Sequence, residues 1–354
     1  MKNLLPLIAL CLGISSCSST RWMSLSVLEP APVTLSPNIK NIAVINRSVP
    51  DKKAKALDVI DKVFSLEGAN LDKEGSEATA ISLINELDGS KRFEEVKMVE
   101  YNGKGTNNPG GYPSPLDWNA VQDICKVNNA DVLFSLELFD TDSKITYAAH
   151  PVKINTPLGS IPAVHQEATM NTWVKAGWRI YDPYNKMILD ESAVSKNLVY
   201  RGSGINPALA AKALIERKEA VRRVGTNAGA AYAYSVIPVW IRVSREYYVR
   251  GNDNFKIARR KAESGNWDGA AEIWSQQTKA AQRKVAGRAC YNMAIISEIN
   301  GRLDEAIQWA QKSYEDYNVK MALRYVRILE DRKIRNSILE QQQMLDVADS
   351  ETGN

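Results

Sequence analysis

The thiol of Cys17 is the side chain with the clearest chemistry in this 354-residue chain. Met1-Lys2-Asn3 supplies a basic start, residues 4–14 are mostly apolar, and Ser15 and Ser16 precede the cysteine. So short an apolar run is typical of a signal peptide, because a membrane-spanning helix needs about 20 apolar residues. The small serines let a peptidase approach the backbone, and the sulfur can accept a lipid. We therefore expect residues 1–16 to be removed and Cys17 to become the lipid-modified N-terminus.

Other reactive side chains are scattered and form no catalytic set. His150 and His165 are the only histidines, and a metal site would need both rings to converge with Asp140 or Asp142. The same two aspartates could act as an acid and base pair, although a turn at a strand end is favoured. Ser203 lies between two glycines but does not meet the G-x-S-x-G pattern of hydrolases. These residues predict a protein that is not an enzyme and that holds no metal or cofactor.

Two aromatic residues suggest a binding surface. Trp173 and Tyr181 alternate with Trp178 along a predicted strand, so they fall on the opposite face of the sheet from Trp178. They predict either an exposed aromatic platform for glycan or peptide, or a face covered by a second layer of structure. The second alternative is favoured.

Composition limits the protein class. The chain is 44% hydrophobic and 24% charged, which is typical of a globular protein long enough for two domains. The net charge of +4 includes Lys2 and is too small to indicate a nucleic-acid partner. Of four cysteines, Cys125 and Cys290 remain in the folded part, where they are expected to be separate buried thiols rather than a disulfide.

The strands and helices that position these residues are predicted to begin after a proline-rich segment. Residues 17–38 are predicted to be a tether or an edge segment, because proline removes hydrogen-bond donors and favours extended backbone. Residues 39–250 mix strand and helix patterns, which predicts an α+β domain with a mixed sheet and packed helices. The predicted strands are 39–46, 93–101, 130–138, 144–149, 170–181, 187–196 and 236–248, and the predicted helices are 53–66, 77–87, 117–127 and 206–235.

The C-terminal third contains an internal repeat with an offset of 36 residues. The matched pairs are Ala258 with Ala294, Gly265 with Gly301, and Ala270 with Ala306. Small residues let two helices approach each other, and glycine permits the turn between them, so each copy predicts a helix–turn–helix unit. We expect residues 251–346 to form an all-α repeat domain and residues 347–354 to form a disordered polar tail.

The spacing of this repeat resembles the tetratricopeptide repeat, whose period is about 34 residues. Gly301-Arg302-Leu303-Asp304-Glu305-Ala306 is similar to the G-x-x-x-E-A core of that family. The resemblance implies a concave groove that binds peptides, which Arg259, Arg260, Asn292 and Glu298 could line. The alternative for these four residues is a solvated helix surface.

The whole order of segments resembles an uncharacterised family of Bacteroidota cell-envelope lipoproteins. Residues 14–17 are similar to the bacterial lipobox, which implies a diacylglycerol with palmitate-type chains on Cys17. No acidic residue follows Cys17 through Arg21, and this departs from the surface-displayed lipoproteins of that group. The resemblance therefore implies an anchor in the outer membrane that faces the periplasm. The α+β part also resembles, in its order of elements, periplasmic lipoproteins of the curli-secretion and penicillin-binding-protein-activator type.

These observations predict a lipid-anchored, non-enzymatic binding or scaffold protein of the cell envelope. Its partners would be the membrane, through Cys17, and an envelope protein or peptide held by the repeats. Two alternatives stay open, namely a glycan- or peptide-binding or processing protein that uses the α+β domain, and a subunit of an oligomeric secretion or assembly device.

Overall fold

The computed structural model describes residues 19–48, 62–101, 103, 112–156 and 159–352. The predicted signal peptide and Cys17 lie outside the described residues. The chain divides into two compact units, which we call the sheet unit (Ala31–Pro238, with Gln342–Asn354) and the helical unit (Met1–Pro30 with Val239–Gln341). This agrees with the predicted order of a mixed-sheet domain followed by a helical region.

The sheet unit is built on a five-stranded mixed sheet in the order β3-β2-β4-β5-β6. Strand β2 runs parallel to its two neighbours, β3 and β4, whereas β4, β5 and β6 pair antiparallel. The strands are β2 (Asn41–Asn46), β3 (Glu95–Met98), β4 (Val132–Thr156), β5 (Gly159–Asp182) and β6 (Met187–Gly204), and the helices are α1 (Lys62–Gly89), α2 (Trp118–Val127), α3 (Pro207–Lys212) and α4 (Arg217–Ala233).

Helices cover both faces of the sheet, which explains the continuous apolar strands. Ile42 and Val44 share one core with Leu83 of α1 and Val224 of α4. Residues on the other face, such as Ala43 and Ile45, pack in a second core that includes Val121 and Cys125 of α2. Because β2 is buried on both faces, neither face requires polar side chains. Its sequence is therefore a continuous run of apolar residues.

The strands predicted at 170–181 and 187–196 are confirmed as parts of β5 and β6, which pair as an antiparallel hairpin. Thr172, Val174, Ala176, Trp178 and Ile180 are all buried on one face of β5, as their alternation predicts. The Trp178 ring stacks on Tyr232 of α4 at a centroid distance of 5.1 Å. The Asp182 side chain accepts hydrogen bonds from the backbone N–H groups of Tyr184 and Asn185, which closes the turn.

The elements of the sheet unit differ from the expectation in three places. The helices predicted at 53–66 and 77–87 are one helix, α1, as far as it is described, and residues 53–61 lie outside the described residues. The strands predicted at 130–138 and 144–149 are the single strand β4, so Asp140 and Asp142 lie within a strand rather than in a turn. The helix predicted from Asn206 to about Ser235 breaks between α3 and α4.

The small-residue face of α4 packs on α1. A Cβ at Gly229 would lie 2.0 Å from the carbonyl oxygen of Thr79, so only glycine allows this approach of the two backbones. Gly225 similarly faces the backbone of Gly75. The glycines therefore allow α1 and α4 to pack closely against each other. The larger side chains of α4 pack against the sheet.

The helical unit combines a two-stranded sheet with five helices among the described residues. Strand β1 (Thr20–Glu29) pairs antiparallel with β7 (Val239–Tyr248) over its whole length. Part of the predicted tether is therefore an ordered strand, and β7 does not close the larger sheet as the sequence suggested. The helices are α5 (Asp253–Glu263), α6 (Trp267–Gln277), α7 (Arg283–Ile299), α8 (Leu303–Glu315) and α9 (Lys320–Thr352).

The predicted repeat corresponds to two helical hairpins, α5–α6 and α7–α8. Gly265 and Gly301 turn the chain with φ angles of +84° and +74°, a conformation that favours glycine. The four matched alanines (Ala258, Ala270, Ala294 and Ala306) are fully buried in one core. At the C-terminus the backbone of α9 continues to Thr352, so the predicted disordered tail from 347 is helical as far as that residue.

Candidate functional site

A buried carboxylate organises the core of the helical unit. Glu298 is on α7 and is 1% exposed. Its oxygens accept two hydrogen bonds from Arg245 of β7, both at 2.8 Å, and one from Arg332 of α9 at 2.6 Å. The hydroxyl of Tyr325 donates a further hydrogen bond to the same carboxylate. The carboxylate thus ties α7 to β7 and α9, and we call these four residues the Glu298 network.

The network keeps Glu298 ionised. Burial alone would raise the pKa of this carboxyl, but the hydrogen bonds from Arg245, Tyr325 and Arg332 outweigh it and lower the pKa below its usual value. Burial and the adjacent carboxylate raise the pKa of Tyr325 well above its ordinary range. The pair is therefore a charged acceptor and a neutral donor at neutral pH.

A cleft of about 290 Å³ opens beside this network within the helical unit. Its lining includes Trp22, Arg245, Glu246, Tyr291, Lys320 and Arg324. Trp22 is 66% exposed, whereas the Tyr291 ring is buried and burial raises its pKa, so that hydroxyl stays neutral. The cleft therefore combines aromatic surface with cationic side chains.

Two of these cations are unpaired. Lys320 and Arg324 lie one turn apart at the start of α9, and both are exposed. Within the part of the chain that the structure describes, neither has a carboxylate oxygen within the 4.0 Å limit of an ion pair. Arg245 is neutralised by Glu298, whereas Glu246 accepts a hydrogen bond from the neutral Thr20 hydroxyl and keeps its single negative charge beside the two cations. The cleft is left with an excess of positive charge.

The residues predicted to line a repeat groove are not brought together. Arg259 pairs with Glu263 on the surface of α5, and Arg260 on the same helix is exposed. Asn292 is buried on α7, where its amide exchanges hydrogen bonds with both the N–H and the C=O of Tyr248. Glu298 is buried in its network. Asn292 and Glu298 therefore hold strand β7 to the helices and do not face a groove.

The sheet unit has a comparable but enclosed network. Glu137 of β4 accepts hydrogen bonds from Arg47 at 2.7 and 2.9 Å and from the Tyr181 hydroxyl at 2.8 Å. Arg179 lies 3.9 Å from the same carboxylate and donates to the backbone carbonyl of Pro113 and to Glu191. Burial, followed by the charge of Glu137, raises the pKa of Tyr181 to about 12.

This placement rules out the aromatic platform predicted for β5. Tyr181 is fully buried under α2 and bonded to Glu137, so only Trp173 of the pair is accessible. Covering by a second layer, the favoured alternative, is confirmed for Tyr181.

The remaining candidates for chemistry provide neither a metal-ligand set nor an activated nucleophile among the described residues. His150 and His165 face each other across β4 and β5, and no group of three or more metal-ligating side chains is found among the described residues. Cys125 and Cys290 are free and buried, as predicted, and burial raises their thiol pKa values to about 12 and about 11. Such thiols are poor nucleophiles at neutral pH.

The β4–β5 hairpin extends beyond the sheet. Strand β6 ends its pairing at Gln166, and the two strands continue as a ribbon from His150 opposite His165 to Thr156 opposite Gly159. Ile161 and Val164 on this ribbon are each more than half exposed. We call residues 150–156 and 159–165 the ribbon. None of the helices in the described part of the chain combines the length and apolarity needed to span a membrane.

Comparison with known families accounts for most of the chain. Residues 39–248 match the family described as "Domain of unknown function (DUF8603)". The chain belongs to the DUF8603 family. A second match, "Domain of unknown function (DUF6340)", covers residues 256–331 and follows the DUF8603 region in tandem. No curated protein matches the sequence.

Solved structures similar to this DUF8603 protein are remote. A PelC dodecamer from Paraburkholderia phytofirmans is 10% identical, with 61% of this chain and 98% of that chain covered and a TM-score of 0.23. A Helicobacter pylori homologue of neuraminyllactose-binding hemagglutinin is also 10% identical, with 55% and 81% covered and a TM-score of 0.21. TM-scores of this size do not establish a shared fold.

Sequence reasoning missed the cationic cleft that adjoins the DUF6340 region of this DUF8603 protein. Lys320 and Arg324 have the i, i+4 spacing that places two side chains on one helix face, and that signal was present in the sequence. Trp22 and Arg245 carry no such signal, because they belong to strands that meet only in the folded unit.

Proposed function

We propose that the protein is a lipid-anchored, non-enzymatic binding module of the cell envelope that holds a protein partner through its helical unit. The observation that carries this proposal is the open, aromatic and cationic cleft that β1, β7, α7 and α9 line in the helical unit. Exposed tryptophan and arginine near a preformed cleft are typical of partner-binding surfaces. The buried thiols and enclosed carboxylates offer no comparable arrangement for catalysis.

The likeness of the hairpins to tetratricopeptide repeats supports the same function. The two glycine turns and four buried alanines stand at equivalent positions 36 residues apart. Repeats of this type stack into surfaces that bind extended peptides. The long helix α9 supplies a third layer after α8, in the position where a further repeat or a cap is needed.

The anchor rests on residues 14–17 and on the short apolar run before them. Two or more acyl chains would give stable membrane attachment without a membrane-spanning helix. Cells fed an alkyne-labelled fatty acid should yield labelled protein that is lost with Cys17→Ser and kept with Ser18→Ala. An unlabelled wild-type protein with an intact start would overturn the anchor.

Partner binding is tested by photo-crosslinking in intact cells. A photoreactive amino acid replaces Arg260 or Arg324 in the helical unit, or Val127 on an exposed surface of the sheet unit. We expect discrete protein adducts from the first two positions and few from Val127. Adducts formed only at Val127 would contradict binding through the helical unit.

The ribbon favours a second candidate, assembly of several copies into an oligomeric device. Among the described strands, β4 pairs with β2 only from Val132 to Leu136, and β6 pairs only with β5, so β6 and the part of β4 beyond Leu136 each have one unpaired edge. Two-stranded ribbons with exposed apolar residues are marginal in water, and pairing with another copy would cover them.

Assembly is tested by sedimentation of the purified protein in detergent. If copies pair through the ribbon, the wild type should form a discrete oligomer. The double variant Ile161→Asp, Val164→Asp should be a monomer with an unchanged circular dichroism spectrum. A wild-type monomer at all concentrations would eliminate this candidate.

A further inference from the structure

We propose that the cleft lined by Trp22, Lys320 and Arg324 binds an acidic peptide segment that carries an aromatic side chain. This inference rests on the proposed partner-binding function and narrows the partner to one chemical class. The peptide carboxylates would bind Lys320 and Arg324, and the aromatic side chain would pack against Trp22 and Tyr291. We refer to this region as the acidic-peptide cleft.

The charge of the cleft selects an acidic partner. Lys320 and Arg324 have side chains on neighbouring turns of α9, about 5–6 Å apart at their Cβ atoms. Neither is neutralised by a described carboxylate, whereas Arg245 already shares Glu298 with Arg332. A guanidinium binds a carboxylate through two parallel hydrogen bonds, and a neighbouring ammonium adds a second charged donor. Two successive carboxylates on a peptide would meet both.

The size and surface of the cleft favour a peptide side chain over a cofactor. Its volume of about 290 Å³ lies just below the range of about 300–1,000 Å³ for sites that enclose small molecules. Trp22, at the rim, is 66% exposed, and Tyr291 forms a buried aromatic wall. Aromatic rings attract one another with edge-to-face or offset geometry, so a phenylalanine or tyrosine side chain suits this surface.

The Glu298 network makes the wall of the cleft rigid. Arg245 is held by two hydrogen bonds to Glu298, and the Tyr325 hydroxyl is held by the same carboxylate. Tyr325 in turn lies 5.4 Å from the Tyr291 ring, centroid to centroid. A wall fixed before binding loses little entropy when a ligand arrives. Glu298 is therefore a positioning residue that does not touch the peptide.

The experiment uses the full chain in detergent and a dye-labelled peptide of sequence Glu-Glu-Glu-Phe with a free terminal carboxylate. Binding is followed by fluorescence anisotropy. We expect saturable binding to the wild type, and no binding of Lys-Lys-Lys-Phe. Lys320→Glu and Arg324→Glu should each lower the affinity roughly tenfold, since each removes a charge-assisted contact. Trp22→Ala should lower it at least about fivefold.

The matched control is Arg327→Glu, which makes the same charge change at an exposed position on the same helix but outside the cleft lining. Its affinity should match the wild type. Arg324→Gln removes the charge at an exposed position without introducing the opposite charge. It should also weaken binding, with an unchanged circular dichroism spectrum. An equal loss with Arg327→Glu would show that binding is only diffuse attraction, and this would overturn the cleft.

The two proposals fail in different ways. If the peptide does not bind, or binds equally to wild type and Arg324→Glu, the acidic-peptide cleft is wrong. Adducts from the photoreactive residue at Arg260 would still support partner binding through the helical unit. If neither helical-unit position yields adducts, the proposed function fails regardless of how the peptide behaves.

Discussion

The two units contain buried charge networks of the same composition but different surroundings. In each, one glutamate is shared by two arginines and by a tyrosine hydroxyl, namely Glu137 in the sheet unit and Glu298 in the helical unit. The arginine side chains beside Glu137 are 9% and 4% exposed, and those beside Glu298 are 11% and 18% exposed. Among the described residues, the second network adjoins a cleft in which Lys320 and Arg324 have no carboxylate partner.

The difference separates a structural role from a binding role. A carboxylate enclosed with its arginines ties strands together and offers nothing to a ligand. A carboxylate that holds one arginine at the edge of an open cleft also shapes a surface. The chemistry of the side chains is the same, so the solvent access of the cations decides which role the network plays.

The largest expected effect is from Glu137→Ala. It would leave Arg47 and Arg179 buried without a counter-charge, which costs about 3–5 kcal/mol of unfolding free energy. Urea unfolding followed by tryptophan fluorescence measures this loss. Asp142→Ala, at an exposed position on the same strand, should change stability by less than about 0.5 kcal/mol. A loss below about 1 kcal/mol for Glu137→Ala would remove the distinction between the networks.

A smaller loss is expected from Glu298→Ala, about 2–3 kcal/mol, because Arg245 and Arg332 can turn toward water. This variant should also weaken binding of the acidic peptide, since the cleft wall loses its support. Glu137→Ala should leave peptide affinity unchanged in the folded protein. If Glu298→Ala and Glu137→Ala changed the peptide affinity equally, the proposed difference between the two networks would be wrong.

The pH dependence should distinguish Glu298→Gln from the wild type. Because the pKa of Glu298 is lowered in the folded protein, its ionised form stabilises the fold above about pH 4.5. That contribution declines as the pH falls through the lower folded pKa. Thermal unfolding should show a gap between wild type and Glu298→Gln at pH 7 that closes in acid. A gap that stays constant from pH 7 to pH 3 would show that the charge is not responsible.

The smallest effect, about 1 kcal/mol, is expected from Gly301→Ala, because an alanine must adopt a left-handed backbone at that turn. In this variant we expect the helical unit to have a lower free energy of unfolding and the peptide affinity to equal that of the wild type. Such a result would separate the folding of the repeat from binding at the cleft. Gly89→Ala is the control, since an added Cβ there meets nothing within 4 Å. Differential scanning calorimetry compares the unfolding of the two variants.

Much of the local structure was predictable because short-range physics controls it. Asp117 caps α2 by accepting the N–H of Asn119, and Asn206 caps α3 by accepting the N–H of Leu209. The alternation of side chains around Trp178 correctly indicated which face of β5 is buried. The break between α3 and α4 escaped prediction, because apolar spacing continued across a point where the backbone turns.

The candidate site was much less predictable. Glu298 was singled out, but for a groove it does not line, because a helical pattern does not reveal which neighbours bury a side chain. Its partners lie 53, 27 and 34 residues away in sequence, on a strand and on another helix. The position of Arg245 in the sequence does not distinguish it from an arginine that is exposed to solvent on a strand.

The sequence alone determined the mixed-sheet and helical order, the hairpin around Asp182, and the 36-residue repeat with its glycine turns. These depend on capping, side-chain alternation and backbone freedom, which act within a few residues. Only the tertiary structure decided that β1 pairs with β7 and that Glu298 holds Arg245 beside Lys320 and Arg324. Such pairings join residues far apart in the chain, so their energies arise only when the topology has brought them into contact.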